Sequence, residues 1–345
     1  MLITIHSIIG YVYNNYLQWL VLFVGSVMIY YFTLKTLVHE CGHLVFGLLT
    51  GYKFETLRIR HIMLMKAKDH YKITKHYSYG SLGQCVMAPL EYREGKNPYV
   101  LYMLGGIIFD TLFAVIFTLI GITPSVLSNP VRIVFLSLAF TDFINVFTNG
   151  VVSRKGKINN DGTNTYYLAK DQQSIKCFYM NSKVFYYLLN GKTYKDLPED
   201  IYRIPVGASL ASAQTGWQII NHSYYYMDLR LWENALACLT ELEAVSGKQS
   251  KHMQINLLME KLFLYIKLNR STSEIENLYD QVKKDIKYFK YDFNMVRVRM
   301  TYELYKDGSI KRKMKINDEL ETEVRKYPFE GEAIFCANLV REMIN

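Results

Sequence analysis

Residues 36–49 read Thr-Leu-Val-His-Glu-Cys-Gly-His-Leu-Val-Phe-Gly-Leu-Leu, an apolar run that holds His39, Glu40 and His43 at its centre. The run predicts a helix, on which residues four apart lie one above the other, so both imidazoles face the same point. Two neutral imidazoles at this spacing can hold Zn²⁺, and Glu40 can act as a general base toward a water molecule. The alternative is that these polar residues only cap or pack inside a buried helix, but burying all three together needs a reason.

The apolar character around this run extends from Leu17 to about Thr50. A straight helix of that length would measure about 51 Å, against about 30 Å for the hydrocarbon core of a membrane. Either the helix protrudes at its N-terminal end or it breaks near Gly25. Two further spans are predicted at about 99–122 and 131–152, so the expected fold class is an α-helical membrane protein.

Charge is distributed unevenly along the chain. The net charge is +9 and half of the residues are hydrophobic, but the long apolar stretches precede residue 152 and most of the charge follows it. In a membrane protein Lys and Arg first of all report topology, and no basic stretch carries a nucleic-acid motif, so we expect no nucleic-acid partner.

Membrane topology follows from where Lys and Arg occur. Residues 51–97 and those after 153 are rich in both, whereas residues 1–16 and 123–130 carry none. The positive-inside rule therefore predicts a multi-pass protein of the cell membrane whose C-terminal part is cytoplasmic. It also places the histidine pair below the cytosolic surface of the lipid bilayer.

The cysteines and the N-terminus give two further expectations. The five cysteines are scattered and odd in number, which fits a reducing compartment and free thiols. The N-terminus has no basic n-region and no small-residue cleavage site, so we expect no cleaved signal peptide.

Residues 51–97 differ in character from the spans that flank them. They contain alternating patterns, and glycines punctuate short strand-like pieces around residues 79–89. We interpret this stretch as a small β-hairpin region at the membrane surface. The alternative is a plain interfacial loop.

The remainder of the chain has helical patterns. The first covers residues 163–189 and is followed by a linker around Pro198 and Pro205. The stretch around Trp232 resembles the start of a tetratricopeptide-like helix pair, but the irregular period leaves a plain helical bundle equally open. Further helices are predicted near 209–222, 224–245, 251–268, 272–288, 292–306, 316–326 and 330–344.

Three domains are expected from these patterns. Residues 1–165 form a membrane-embedded core, residues 166–207 a helix and linker, and residues 208–345 a cytosolic α-helical domain. The last of these offers a surface for a cytosolic protein partner.

Two histidines leave a zinc site incomplete, since a catalytic zinc has a third protein ligand and an open position. Asp161 follows the third predicted span closely and lies at a suitable depth. However, Asn160-Asp161-Gly162 is also a strong turn signal by itself. From the residues alone, Asp161 is equally well explained as a metal ligand and as a turn residue.

Three separate segments together resemble the site-2 protease family of intramembrane zinc metalloproteases. They are the motif at 39–43, the Gly105-Gly106 segment that leads to Asp110, and the stretch from Asn145 to Gly162. The resemblance covers about residues 17–165. In two places the chain departs from the family pattern: Asn145 is not followed by the usual proline, and Asp110 stands where the family commonly has Asn.

The resemblance implies a three-helix membrane core and a set of site residues. The zinc ligands would be His39, His43 and Asp161, with Glu40 as the base. The strand-like segment that contains Gly80 and Gly83 would hold the substrate in an extended form.

The function implied by the resemblance is a zinc-dependent metalloendopeptidase. It would hydrolyse peptide bonds of transmembrane or membrane-anchored proteins or peptides. The alternative is a catalytically inactive membrane scaffold that presents its helical domain to partners, and it predicts that no zinc is bound. A transporter is less favoured, because three spans are few for a transport path.

Overall fold

The computed structural model describes residues 2–67, 70–78, 80–88, 90–93, 95, 97–123, 128–153, 159–286 and 291–344, with side chains from residue 15 onward. The predicted turn at 123–130 and the basic segment at 154–157 lie wholly or largely outside this range. Backbone contacts divide the chain into two compact units. We call residues 1–50, 99–152 and 160–162 the four-helix unit, and residues 51–98, 153–159 and 163–345 the sheet–helix unit.

The four-helix unit consists of α1 (Leu2–Thr33), α2 (Lys35–Leu49), α3 (Tyr99–Ile122) and α4 (Asn129–Gly150). Helix α3 packs against both α2 and α4, and α1 packs mainly against α4. Among the described residues, three segments are long and apolar enough to cross a membrane: Asn15–Thr33, Tyr99–Ile122 and Asn129–Gly150. The prediction of an α-helical protein with membrane-spanning helices is thus confirmed at this level.

Of the two alternatives for the first apolar stretch, the break near Gly25 is not observed. Helix α1 passes through Gly25 without interruption, and a single residue, Leu34, separates it from α2. The interruption comes immediately before Lys35, whose buried amine lies against carboxylates of α3 and α4. The histidine motif therefore lies on a helix of its own, and the 15 residues of α2 reach only about 22 Å, too short to cross a bilayer alone.

The sheet–helix unit begins with the predicted β region, which is a four-stranded antiparallel sheet. Its strands are β1 (Lys53–Ile59), β2 (Ile62–Ala67), β3 (His70–Lys75) and β4 (Gly83–Ala88), in the spatial order β3-β2-β1-β4. Alternation along β2 buries Met63 and Met65 on one face, as expected for a half-buried strand. The expectation of strands at 51–97 is confirmed, and β4 is an edge strand.

Helices form the rest of the sheet–helix unit. They are α5 (Asp161–Ala169, whose first two residues belong to the four-helix unit), α6 (Gln172–Leu189), α7 (Ala213–Asp228), α8 (Trp232–Glu243), α9 (Lys251–Lys267), α10 (Thr272–Val282), α11 (Phe293–Lys306), α12 (Ile310–Lys326) and α13 (Glu330–Ile344). Side-chain caps explain several of the starts, because Ser250, Ser271, Asp292 and Ser309 each accept a hydrogen bond from a backbone N–H of the first turn.

Two predicted helix boundaries are wrong. The helix expected at 163–189 is divided, because Asp171 caps a new helix by accepting from the N–H of Gln173 at 3.0 Å. The boundary expected at 222–224 lies instead at Arg230, which has a left-handed backbone conformation that ends α7. The caps and turns, which are set by single residues, decide both boundaries.

The helices from α7 onward stack as pairs. Helix α7 contacts α8 and α9, α9 contacts α10 and α11, and α11 contacts α12 and α13. The inner helices α7, α9, α11 and α13 begin at residues 213, 251, 293 and 330, about 40 residues apart, whereas a tetratricopeptide repeat has 34. The tetratricopeptide assignment and the domain limits at 165 and 207 stay predictions.

Candidate metal centre

His39 and His43 lie one turn apart on α2, and both side chains are buried. Their Nε2 atoms are 3.3 Å apart. The predicted juxtaposition of the two imidazoles, which requires only the helical spacing of the motif, is therefore present in the structure.

Asp161, the residue that the sequence left between ligand and turn, reaches the same point. Its Oδ2 atom lies 3.0 Å from Nε2 of His39 and 3.4 Å from Nε2 of His43. It is the first residue of α5, so the N-terminal end of that helix favours a charged carboxylate here. The structure brings together all three residues predicted as ligands.

The residues on either side of Asp161 fix its position. The side-chain amide of Asn160 donates to the carbonyl oxygens of Thr148 and Val151, both at 2.8 Å, which ties the segment to the end of α4. A Cβ atom at Gly162 would lie 2.7 Å from the carbonyl carbon of Gly150, so only glycine allows this approach. The two residues that form the turn with Asp161 therefore also hold its carboxylate beside the histidines.

The spacing of the three ligand atoms fits a metal ion. The distances between them are 3.0, 3.3 and 3.4 Å. In a tetrahedral zinc site with bonds of about 2.0–2.1 Å, two ligand atoms lie about 3.3 Å apart. The group His39, His43 and Asp161 can therefore hold one ion with a fourth position left open, although the donor set alone does not select zinc over other divalent metals.

The second ring nitrogen of each histidine is bonded to an acceptor. Nδ1 of His39 lies 2.8 Å from Oδ2 of Asp110, and Nδ1 of His43 lies 2.8 Å from the carbonyl oxygen of Tyr102. A carboxylate or a carbonyl oxygen accepts here, so each Nδ1 carries a proton and each Nε2, the nitrogen that would bind a metal, faces Asp161. Metal-binding histidines are usually oriented by such bonds.

Asp110 belongs to a buried charge cluster to which each helix of the four-helix unit contributes. The amine of Lys35 on α2 donates to Asp110 on α3 and lies 3.0 Å from Oδ1 of Asp142 on α4. The hydroxyl of Tyr30 on α1 donates to Asp142 at 3.2 Å, and the amide of Asn145 donates to Asp110. We call Lys35, Asp110 and Asp142 the lysine cluster.

Three glycines allow α2 and α3 to approach closely at the histidines. A Cβ atom at Gly42 would lie 2.7 Å from the carbonyl carbon of Gly105, and one at Gly105 would lie 2.8 Å from that of Gly42. A Cβ atom at Gly106 would lie 2.6 Å from Nε2 of His39 and 2.7 Å from Nε2 of His43. The space that a metal ion needs is kept open by the missing side chain of Gly106.

Glu40, the predicted base, is also buried. It follows His39 directly in the chain and interacts electrostatically with His43. Cys41 lies within the motif but is outside the metal-ligand group.

The electrostatics of Asp161 follow from its neighbours. Burial disfavours the charged form of this carboxyl group. The hydrogen bonds and charges of His39 and His43 outweigh burial and hold the pKa of Asp161 well below its usual range. The carboxylate is therefore in the form that binds a metal over the whole neutral range.

The predicted substrate-binding glycines lie in the sheet–helix unit. Gly80 has a left-handed backbone conformation in the connection that leads to β4, and Gly83 is the first residue of β4, paired with Ile59. The role predicted for them stays a prediction.

Sequence reasoning did not assign a role to Lys35, Asp110 or the carbonyl oxygen of Tyr102. The first two carried a signal, because ionisable residues inside apolar helices seldom occur without a partner. The contact of His43 with the Tyr102 carbonyl involves the backbone, so residue types could not indicate it.

Comparison of the chain with known protein families, with curated proteins and with solved structures gave no match.

Proposed function

We propose that this protein is a membrane-embedded, zinc-dependent endopeptidase of the site-2 protease type. The observation that carries the proposal is the triangle of ligand atoms from His39, His43 and Asp161, with both histidines oriented by acceptors on α3. The arrangement of three protein ligands and an open position is that of a catalytic rather than a structural zinc site.

Each residue of the site has a definite task in peptide hydrolysis. Zinc, when bound, supplies a Lewis acid that acidifies water and polarises a peptide carbonyl. Glu40 accepts the proton of the attacking water and delivers it to the leaving amine. Asp110 holds the ring of His39 in the tautomer that leaves Nε2 free, and Lys35 forms an ion pair with Asp110 that fixes its position.

The substrates in this proposal are transmembrane or membrane-anchored proteins or peptides. A helical peptide bond is shielded by its own hydrogen bonds, so the cleaved segment must unwind. Strand β4, which includes Gly83, pairs with β1 on one side and is an edge of the sheet among the described strands. An unwound segment can add to such an edge through main-chain hydrogen bonds.

The proposed location is the cell membrane, with several spans and a cytoplasmic C-terminal part. Three apolar helices support the membrane location. The orientation rests on the positive-inside rule alone.

The test compares the native protein with Glu40→Gln after purification in detergent. We expect both to contain about one zinc ion per chain by elemental analysis, because Glu40 is not a ligand. In cells, membrane proteomes should contain shortened membrane proteins with the native chain and not with Glu40→Gln, a loss of at least about a hundredfold in cleavage.

Two results would contradict the proposal. Full cleavage by Glu40→Gln would exclude this mechanism. Absence of zinc from both purified proteins would favour the inactive scaffold instead. Cys41→Ser is the matched control, since Cys41 lies beside Glu40 and outside the ligand group, and it should change neither zinc content nor cleavage.

A further inference from the structure

The sheet–helix unit contains a cleft of about 570 Å³ that the proposed peptidase chemistry does not use. One side is formed by the connection between β3 and β4, including Tyr77 and Gly80, and the other by α6 and the inner helices α7, α9 and α11. We call it the polar cleft. Its volume is within the range of sites for small molecules and short peptides.

Four helices each place one asparagine on the wall of the polar cleft. These residues are Asn181 on α6, Asn221 on α7, Asn256 on α9 and Asn294 on α11. Asn256 and Asn294 are almost fully buried, where polar side chains are uncommon. The amide of Asn221 donates to the side-chain oxygen of Asn181 at 3.0 Å, so the row is continuous at that end.

A row of carboxamides matches an extended peptide. Asn221, Asn256 and Asn294 each donate one amide hydrogen within the protein, to Asn181, to the carbonyl oxygen of His252 and to Glu332. A carboxamide has two such hydrogens, so each of the three keeps one for a peptide carbonyl. Packed helices lie about 8–10 Å apart, and an extended chain advances about 3.3 Å per residue, so successive inner helices meet about every third residue of a bound peptide. Glutamines 84 and 214 also line the cleft and add to this capacity.

The charge of the polar cleft is opposite to that of the chain. The chain has 40 Lys and Arg residues against 31 Asp and Glu, yet the described residues that line the cleft include Asp292 and Glu332 and neither Lys nor Arg. Asp292 accepts from the N–H of Met295 at 3.2 Å, and Glu332 accepts from the hydroxyl of Tyr327 at 2.8 Å. A cation that enters the cleft meets two carboxyl groups.

The two carboxyl groups influence each other. Burial, followed by the charge of Asp292, raises the pKa of Glu332 to about 8. Burial also raises the pKa of Asp292 to about 6, and the charge of Glu260 adds to this effect. A bound positive charge would lower both pKa values, and the resulting proton release favours binding as the pH rises.

Aromatic rings form the remaining walls. Tyr77 and Tyr291 stack with their centroids 4.3 Å apart, and Trp217 packs edge-on against His252. Rings of this kind provide rigid contact area and attract cations to their faces.

From these observations we propose that the polar cleft binds a short, extended peptide that carries a positive charge, either a free amino terminus or a Lys or Arg side chain. The asparagine row would hold the peptide backbone, and Asp292 and Glu332 would hold the charge. The proposal does not depend on the metal centre.

The first experiment identifies peptides without assuming a sequence. Full-length protein in detergent is incubated at pH 8 with a synthetic library of octapeptides, half of them acetylated at the amino terminus, and the bound pool is sequenced by mass spectrometry. We expect enrichment of Lys and Arg at defined positions, or enrichment of the unacetylated half. A bound pool with the composition of the input overturns the proposal.

The second experiment assigns the contacts with one enriched peptide, followed by fluorescence anisotropy. Glu332→Gln should weaken binding about tenfold, and replacing the cationic group of the peptide by a neutral one should remove the difference between native protein and variant. If neutralising the peptide weakens its binding to the native protein and to Glu332→Gln by the same factor, Glu332 does not face the charge, and the proposal is overturned.

Matched variants separate binding from folding. Asn221 is only partly buried. Asn221→Ala should therefore weaken peptide binding while its thermal unfolding midpoint stays within the range of the controls. The controls are Asn234→Ala and Glu241→Gln, which are exposed, do not line the cleft and should bind as the native protein does. If Asn221→Ala keeps native affinity, the asparagine row does not hold the backbone and the proposal fails.

The pH dependence distinguishes the two sources of positive charge. A Lys peptide should bind more tightly as the pH rises from 5 to 9, because Asp292 and Glu332 ionise in this interval and Lys stays charged up to about pH 10. A peptide that binds through its amino terminus should instead pass through a maximum, because that group loses its proton near pH 8. Affinity that does not change with pH overturns the assignment of the carboxyl pair.

Several other groups around the carboxyl pair have pKa values outside this interval. Burial holds the pKa of His76 and of His252 at about 4 and raises those of Tyr327 and Cys336 well above their usual ranges. Arg297 forms an ion pair with Glu260 on α9. The remaining tyrosines around the pair, Tyr194 and Tyr224, also have pKa values raised well above the usual range by burial.

Discussion

The four-helix unit buries the amine of Lys35 among several carboxyl groups, whereas in the sheet–helix unit the fully buried guanidinium of Arg297 forms an ion pair with one fully buried carboxylate, that of Glu260. In the four-helix unit Lys35 pairs with Asp110 and Asp142, and the site also contains the carboxyl groups of Glu40 and of the partly buried Asp161. In the sheet–helix unit Arg297 pairs with Glu260, both fully buried. In the four-helix unit the carboxyl groups outnumber the one buried amine.

The difference explains what each arrangement can do. Isolated buried charges are expensive and must be paired, protonated or bound to a metal. A divalent cation between His39, His43 and Asp161 would offset most of the excess in the four-helix unit. The Arg297–Glu260 pair has no such need, so we assign it to the stability of the sheet–helix unit alone.

We expect the largest effect from a substitution that breaks the Arg297–Glu260 ion pair. Arg297→Met leaves Glu260 buried with only Tyr224 as a donor at 2.9 Å and removes the guanidinium that lies 4.3 Å from the ring of Phe263. We expect the free energy of unfolding of the sheet–helix unit to fall by about 3–5 kcal/mol. Urea unfolding, followed by the fluorescence of Trp217 and Trp232, measures it.

Two controls test whether the pair is self-contained. Arg299→Met removes two partly exposed ion pairs, with Glu303 and with Glu319, and should cost at most about 1 kcal/mol. The double variant Arg297→Met/Glu260→Leu should recover most of the lost stability, because neither partner of the ion pair is left buried alone. Loss of zinc in Arg297→Met would contradict the assignment of this ion pair to the stability of the sheet–helix unit alone.

The second prediction concerns the unmatched cluster. Lys35→Met removes the cation that holds Asp110, and Asp110 in turn orients His39. We expect the affinity for zinc, measured by chelator competition at fixed pH, to fall about 10- to 100-fold, the usual loss when an outer partner of a metal ligand is removed.

Companion variants separate orientation from folding. Lys176→Met, an exposed lysine on α6, should bind zinc as the native protein does. Adding Asp142→Asn to Lys35→Met removes one of the two carboxylates that would then lack the amine, and should restore part of the stability but not the affinity for zinc. Native zinc affinity in Lys35→Met would show that the lysine cluster serves folding only.

The histidine pair could be predicted from the sequence because its geometry is local. Two residues four apart on any helix share a face, so the prediction needed no tertiary information. Asp161 lies 122 residues from His39, and its turn signal gave no direction for the side chain. Only the contacts of Asn160 and Gly162 with the end of α4 place it beside the two histidines.

The break in the first apolar stretch shows why the remainder could not be predicted. Gly25 has the intrinsic weakness of glycine in a helix, yet the helix continues through it, and a Cβ atom there would meet open space. The helix ends instead where Lys35 reaches two carboxylates on other helices. The polar cleft was missed for a similar reason, since its asparagines are about 40 residues apart and no regular repeat marks them.

We expect the smallest effect from glycine-to-alanine substitutions, which add one methyl group in each unit. Gly106→Ala places a Cβ atom 2.6 Å from Nε2 of His39, so the ligand atoms must move, and we expect zinc affinity to fall about tenfold. Gly216→Ala on α7 places its Cβ atom 3.3 Å from the flexible ends of Gln249 and Met253, which can shift, and should leave zinc affinity unchanged. Alanine also favours a helix over glycine by about 1 kcal/mol, so neither variant should unfold for lack of helix propensity.

Gly25→Ala, with open space around it, is the control within the four-helix unit. Equal zinc affinity in all three variants would mean that the space beside the histidines is not what the metal occupies.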